Sequence, residues 1–103
     1  YGQQRFLEIA RALATEPKVL LLDEPAAGMT NQEMDHLVEL LEKLRAKGLA
    51  IVLIEHHTAL VKSVADKLTV LNFGKKIADG EPDAVLSDPE VIRAYLGGDI
   101  LAG

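Results

Sequence analysis

The stretch VLLLDEP, from Val19 to Pro25, constrains the fold more than any other part of the chain. A run made only of aliphatic residues is typical of a short strand that is buried on both faces of a parallel sheet. This strand ends on adjacent carboxylates, Asp23 and Glu24, although one polar residue would be enough to end it. Because neighbouring acidic groups repel each other, the pair indicates a bound cation or a reaction.

Elsewhere the apolar pattern alternates between helical and strand periods. The pattern predicts helices over 2–14, from Asn31 to a closing Gly48, over 58–66 and over 89–96, and strands over 18–22, 49–55, 68–73 and 75–80. Strands that alternate with helices indicate βαβ units, and a turn at Gly74 indicates a hairpin. The sequence therefore predicts an α/β fold with a mainly parallel sheet, flanking helices and a C-terminal β-hairpin.

Two helix starts and one helix end carry specific signals. Thr30 followed by Glu33 fits a capping box, in which each side chain accepts a hydrogen bond from the other residue's backbone N–H. Asp88, which precedes a proline, is expected to cap the last helix, and Gly97-Gly98 is expected to end it.

Length, charge and composition bound the class of protein. The chain has 103 residues, which allows one domain at most. Its net charge of -5 argues against a nucleic-acid binder with a basic surface, but not against a nucleotide ligand. The absence of cysteine excludes disulfides and thiolate metal sites. The chain lacks an initiator Met and begins in the middle of a motif, so we expect a fragment.

Functional side chains close both of the first two predicted strands: Asp23 and Glu24 follow one, and Glu55, His56 and His57 follow the other. Ligands bind at this edge of parallel sheets. Asp23 is placed to hold Mg²⁺ through water beside a triphosphate and Glu24 to activate the attacking water, with solvated turn residues as the alternative. His56 is either a donor to the γ-phosphate or a histidine satisfied by a backbone carbonyl. Neighbouring side chains of an extended segment diverge, so the second cluster is a poor metal site.

The segment from Gly2 to Arg5 begins the first predicted helix. The free N–H groups and the positive dipole end of a helix N-terminus suit an anion, and a glycine lets phosphate approach the backbone closely. The alternative is a glycine that merely starts a helix.

Four segments, YGQQR, VLLLDEP, AAGMT and LIEHH, follow one another in an order and spacing that resemble the second half of an ATP-binding cassette (ABC) ATPase subunit, which has a P-loop NTPase core. YGQQR is similar to the tail of the signature motif, VLLLDE to the Walker B strand with its catalytic glutamate, AAGMT to the D-loop, and His56 to the switch histidine. The resemblance covers essentially the whole chain. The domain it implies over 1–103 is the C-terminal part of a nucleotide-binding domain, without the Walker A half.

The resemblance implies a role for each matching residue. Glu24 and His56 would be catalytic, and Asp23 would hold Mg²⁺ through water. In this family two subunits sandwich two ATP molecules, and each signature motif binds the ATP of the partner subunit. The residues implied to make that contact are Tyr1, Gly2 and Gln3.

Further segments, GKKIADGEP and VIRAYLGG among them, resemble the ATP-binding subunits of branched-chain amino acid importers, to which lipopolysaccharide-export ATPases are close relatives. This implies an ATPase that drives transport, with a second ATP-binding subunit and transmembrane permease subunits on the cytoplasmic face of the cell membrane, and no nucleic acid. Chromosome-maintenance and DNA-repair ABC ATPases are an alternative, against which the acidic charge argues. A noncatalytic α/β interaction module is another.

Three residues depart from the family pattern. Tyr1 stands where the signature more often has a glycine, Thr30 where the D-loop usually has an aspartate, and His57 where an aspartate often follows the switch histidine. The resemblance therefore assigns no catalytic role to His57.

The phosphate-binding loop, G-x-x-x-x-G-K-[ST], is absent from the sequence. We therefore expect that this 103-residue piece alone does not hydrolyse ATP. The preceding half would cover part of the sheet, so we also expect exposed apolar surface, which favours self-association of the piece.

Overall fold

The computed structural model describes residues 2–96, which fold into two compact units that divide between Val64 and Ala65. The first unit contains α1 (Gly2–Leu13), β1 (Val19–Asp23), α2 (Asn31–Ala46), β2 (Ala50–Ile54) and α3 (Thr58–Val64). The second contains β3 (Leu68–Asn72), β4 (Lys75–Gly80), α4 (Pro82–Leu86), α5 (Pro89–Val91) and a π-helical segment, Ile92–Leu96. The alternation confirms the predicted α/β class.

In the first unit, β1 and β2 pair in parallel, with Val19 opposite Ala50 and Asp23 opposite Ile54. The crossover between them is α2, as the βαβ prediction requires. The helices pack on one face of this strand pair, where every second strand residue contributes to the core. The buried side chains of this cluster are Ile9, Leu20, Ala26, Met29, Leu37, Leu41 and Leu60.

The opposite face of the β1–β2 pair is open. Val19, Leu21, Val52 and Ile54 are exposed there, and Leu21 is 72% exposed. The prediction that these strands are buried on both faces is therefore wrong for this structure, because successive side chains alternate and the helices cover only one face. The prediction of exposed apolar surface is confirmed, whereas self-association stays a prediction.

Helix α2 begins and ends as the sequence predicts. The side chain of Thr30 accepts a hydrogen bond from the N–H of Glu33, and the carboxylate of Glu33 accepts one from the N–H of Thr30. This reciprocal pair is the predicted capping box. At the other end Gly48 has a φ of 94°, a left-handed conformation that glycine adopts without strain.

In the second unit, β3 and β4 form the predicted antiparallel hairpin. Its turn has positive φ at both Phe73 and Gly74, which is the conformation that two-residue hairpin turns require. The third strand thus belongs to an antiparallel pair, so the described strands form one parallel and one antiparallel pair rather than a mainly parallel sheet. The physical reason is local, since a two-residue turn brings β4 beside β3 with little loss of chain entropy.

The end of the second unit follows the sequence only in part. The carboxylate of Asp88 accepts a hydrogen bond from the N–H of Glu90 at 2.8 Å, which confirms the predicted cap. The helix that follows loosens into a π-helical segment, and its predicted end at Gly97-Gly98 lies outside the described residues. A short helix beginning at Pro82 was not predicted. The core of this unit consists of Val70, Val85 and Val91.

The described helices lack the combination of length and apolar character that crossing a bilayer requires.

Candidate active site

The chain turns sharply as soon as β1 ends. Asp23 is the last residue of the strand, and the N–H of Glu24 donates to the carbonyl oxygen of Ile54 at 2.7 Å. Glu24 has a φ of 46°, in the left-handed region that a non-glycine residue seldom occupies. Such a conformation costs on the order of 1 kcal/mol and is found mainly where function requires it. The turn carries the carboxylate of Glu24 toward the end of β2.

At the end of β2 that carboxylate meets an imidazole. Nδ1 of His56 lies 2.8 Å from Oε1 of Glu24. An ionised carboxylate only accepts hydrogen bonds, so Nδ1 carries the proton in this pair. The side chains of His56 and Glu24 are 71% and 49% exposed, so the pair is open to solvent. The predicted meeting of these two strand ends is therefore observed.

Beneath this exposed pair lies a buried carboxylate. The side chain of Glu55 is only 1% exposed. Its Oε2 accepts a hydrogen bond from the N–H of Ala26 at 3.1 Å, and its Oε1 accepts one from the N–H of His56 at 3.1 Å. The sequence singled out Glu55 only as a poor metal ligand. The strand alternation was a usable signal, because it places Glu55 on the helix-covered face and His56 on the other.

The next residue, His57, contacts the start of α3. Its Nδ1 accepts a hydrogen bond from the N–H of Leu60 at 3.3 Å, and α3 begins at Thr58. His57 therefore caps the helix, as an N-cap side chain does when it bonds to the third helical residue. Among residues 2–96, no cluster of three potential ligand side chains is suited to a metal ion.

Asp23 is exposed at the end of β1 and lines a groove of 210 Å³ between α1 and that strand. Oε1 of Glu24 is bonded to His56, and Asp23 is the adjacent acidic side chain at this strand end. One carboxylate suits Mg²⁺, which keeps several waters and takes its other ligands from substrate phosphates. A single carboxylate at this strand end is compatible with such an ion, and the role of Asp23 as a magnesium ligand stays a prediction.

The start of α1 meets a different carboxylate. Gly2 is buried, and a Cβ atom placed there would overlap the carboxylate of Glu33. Hydrogen bonds from the backbone and hydroxyl of Thr30 lower the pKa of Glu33, and the N–H of Gly2 adds to this effect. Glycine at this position thus leaves room for the capping box of α2. Gln3 is exposed on α1, and Tyr1 lies outside the described residues.

Known protein families and curated proteins match this chain over most of its length. A family model described as "ABC transporter" matches residues 1–27, and one described as "Branched-chain amino acid ATP-binding cassette transporter" matches residues 75–100. The high-affinity branched-chain amino acid transport ATP-binding protein BraF of Pseudomonas aeruginosa is 50% identical over 98 residues, which are 94% of this chain and 38% of that protein. The corresponding protein LivG of Escherichia coli is 48% identical with the same coverage.

A solved structure shares the fold. The crystal structure of a nucleotide-free ATP-binding cassette from an ABC transporter matches with a TM-score of 0.84 and 37% identity, over 91% of this chain and 39% of that one. The chain belongs to the ABC transporter ATP-binding family and has the fold of an ABC ATPase cassette. Within that class, it is similar to the ATP-binding proteins of branched-chain amino acid transport. It spans 38% of the length of these curated relatives.

Proposed function

We propose that the whole protein is the ATP-hydrolysing motor subunit of an importer for branched-chain amino acids. In this proposal residues 1–103 are the C-terminal part of its nucleotide-binding domain and contain the signature tail, Walker B strand, D-loop and switch histidine. Support comes from 50% identity to BraF and from the branched-chain transporter model that matches residues 75–100. The same similarities favour this proposal over the lipopolysaccharide-export, chromosome-maintenance and noncatalytic alternatives.

The observation that carries the chemistry is the 2.8 Å hydrogen bond between Glu24 and His56. One oxygen of Glu24 is held by the imidazole, and the other would face a water molecule. A carboxylate in that position accepts the proton of the water that attacks the γ-phosphate. His56 keeps the carboxylate oriented through Nδ1, and in the imidazolium form it donates a hydrogen bond from Nε2 to the phosphate. In this proposal Glu24 is the general base and His56 is its catalytic partner.

ATP and Mg²⁺ complete the site in the whole protein. Asp23 would hold the ion through water, and Mg²⁺ would offset the charge of the phosphates and of the adjacent carboxylates. Asp23 and Glu24 thus divide the work, which accounts for two acidic residues at one strand end. The residues proposed to bind the ATP of the partner subunit are Tyr1, Gly2 and Gln3.

The partners follow from the same family. A second ATP-binding subunit would supply the facing half of each ATP site, and permease subunits would hold the protein at the cytoplasmic face of the cell membrane. The 103-residue piece itself is expected to be inactive, because its sequence contains no G-x-x-x-x-G-K-[ST] loop to hold the triphosphate.

Glu24→Gln in the full-length protein tests this proposal. The amide has nearly the shape of the carboxylate but cannot accept a proton from water, so we expect unchanged ATP binding and a decrease in kcat of about 100-fold or more. Glu39→Gln is the matched control, since Glu39 is exposed on α2. ATP turnover and nucleotide affinity are measured side by side. Turnover near the wild-type rate in the Glu24→Gln protein would show that Glu24 is not the base.

A further inference from the structure

The exposed Glu24–His56 pair needs support from the backbone beneath it. The two side chains are 49% and 71% exposed, and exposed ion pairs typically contribute only about 0.2–1 kcal/mol. Two mobile side chains in water do not hold one geometry by such a contact alone. The distance of 2.8 Å therefore depends on where the two backbones lie.

Glu55 connects those backbones. Its side chain is 1% exposed, and burying a carboxylate is costly unless hydrogen bonds compensate. Both oxygens are used: one accepts from the N–H of Ala26, two residues after Glu24, and the other accepts from the N–H of His56. Nδ1 of His56 is also 3.9 Å from Oε1 of Glu55, so the imidazole lies over the same oxygen.

The contacts of Glu55 and the Glu24–His56 hydrogen bond together link the two strand ends. Glu55 directly follows β2, its carboxylate accepts a hydrogen bond from Ala26 in the loop after β1, and Glu24 at the start of that loop contacts His56. Loss of the Glu55 carboxylate would free the amide of Ala26 and with it the loop that carries Glu24. The β1 ladder would remain, because the N–H of Glu24 bonds to Ile54 independently of Glu55.

We infer that Glu55 is a positioning residue, whose buried carboxylate ties the loop after β1 to the end of β2 and so sets the distance between Glu24 and His56. This inference rests on the proposed function. Glu55 touches neither water nor phosphate in this role. Its effect is on the alignment of the base, and small misalignments of reacting groups reduce rates by as much as about 100-fold.

The test compares Glu55→Ala and Glu55→Gln in the full-length protein, with Glu39→Ala as the exposed control on α2. Glutamine keeps one acceptor oxygen and places an amide where the second oxygen was, so one of the two backbone hydrogen bonds is lost. We expect Glu55→Ala to lower kcat by about 10- to 100-fold with KM for ATP within about twofold of wild type. Glu55→Gln should be intermediate, and amide hydrogen exchange at Ala26 should quicken in the same order.

A purely structural role gives a different pattern. It would lower the melting temperature while the folded fraction kept wild-type kcat, or it would raise KM in step with the fall in kcat. Either result overturns the inference, as does unchanged exchange at Ala26. If Glu55→Ala fails to fold, Glu55→Gln is judged by the same criteria. Glu24→Gln separates the two claims: an active Glu24→Gln protein refutes the proposed function, whereas an inactive one beside fully active Glu55 variants refutes only the positioning role.

Discussion

Replacing His56 by alanine should barely change stability and should strongly change turnover. The hydrogen bond to Glu24 is short, at 2.8 Å, but its partners are 71% and 49% exposed. Water replaces most of what such a pair contributes, so the free energy of unfolding should fall by less than about 1 kcal/mol. In the reaction the same imidazole orients the base through Nδ1, and in the imidazolium form, which carries a proton on both nitrogens, it also donates from Nε2 to the phosphate. Loss of one such donor reduces kcat by about 10²- to 10³-fold, or about 2.7–4 kcal/mol.

The assay measures both quantities on one preparation of the full-length protein. Denaturant unfolding gives the free energy of unfolding, and steady-state ATP hydrolysis gives kcat and KM. His36→Ala is the matched control, because His36 is an exposed histidine on α2. The double variant with Glu24→Gln should lose little more activity than Glu24→Gln alone, since residues that act as a unit are not additive.

Two results would refute the reasoning about His56. A loss of more than about 2 kcal/mol of stability in His56→Ala would mean that the imidazole is structural despite its exposure. A kcat within about twofold of wild type would mean that the bond to Glu24 does not orient the base. If the effects of His56→Ala and Glu24→Gln on kcat were strictly additive, the two residues would act independently, which would also contradict the reasoning.

The remaining predictions concern helix capping and acid stability. His57→Ala should remove the cap on Leu60 and lower the free energy of unfolding by about 1 kcal/mol, whereas His57→Asp should retain it; equal loss in both variants, measured by denaturant unfolding, would contradict the capping role. Hydrogen bonding to Thr69, followed by the charges of Lys67 and Lys76, lowers the pKa of Asp79. A lowered carboxyl pKa contributes stability above the unfolded-state pKa, and this is lost as pH falls through the folded-state value. The free energy of unfolding of Asp79→Asn should therefore fall less steeply at acidic pH than that of the wild type. An unchanged pH dependence in urea titrations at several pH values would argue against this.

The meeting of Glu24 and His56 was predictable because parallel strands place their carboxyl ends at one edge. The sequence marks both strands by apolar runs and both ends by polar residues, and the crossover helix between them begins at a recognisable capping box. The hairpin turn at Gly74 was predictable for a similar reason, since local backbone chemistry determines it. Features that depend on local sequence signals or on strand direction can thus be predicted from the sequence.

Other parts of the site depend on contacts between distant segments. The alternation of side chains along β2 places Glu55 on the face that the helices cover. No sequence pattern reveals that the backbone N–H of Ala26 donates to its carboxylate there. The left-handed backbone conformation of Glu24 could not be predicted either. Glutamate has no preference for positive φ, and the tertiary contacts impose this conformation. The room that Gly2 leaves for Glu33 joins residues far apart in the chain, whereas the sequence offered a phosphate contact or a simple helix start for that glycine.

The open face of the β1–β2 pair shows what an apolar run encodes. The strand sequences predict burial on both faces, yet Leu21 is 72% exposed and Val52 is 51% exposed. Leaving a large aliphatic side chain in water forfeits about 1.5–3 kcal/mol that full burial would supply. These residues are therefore not explained by the packing of residues 2–96, whereas their neighbours Leu20 and Leu22 are. The chain spans 38% of the length of a curated relative, so burial of this open face by a segment outside residues 2–96 is our prediction.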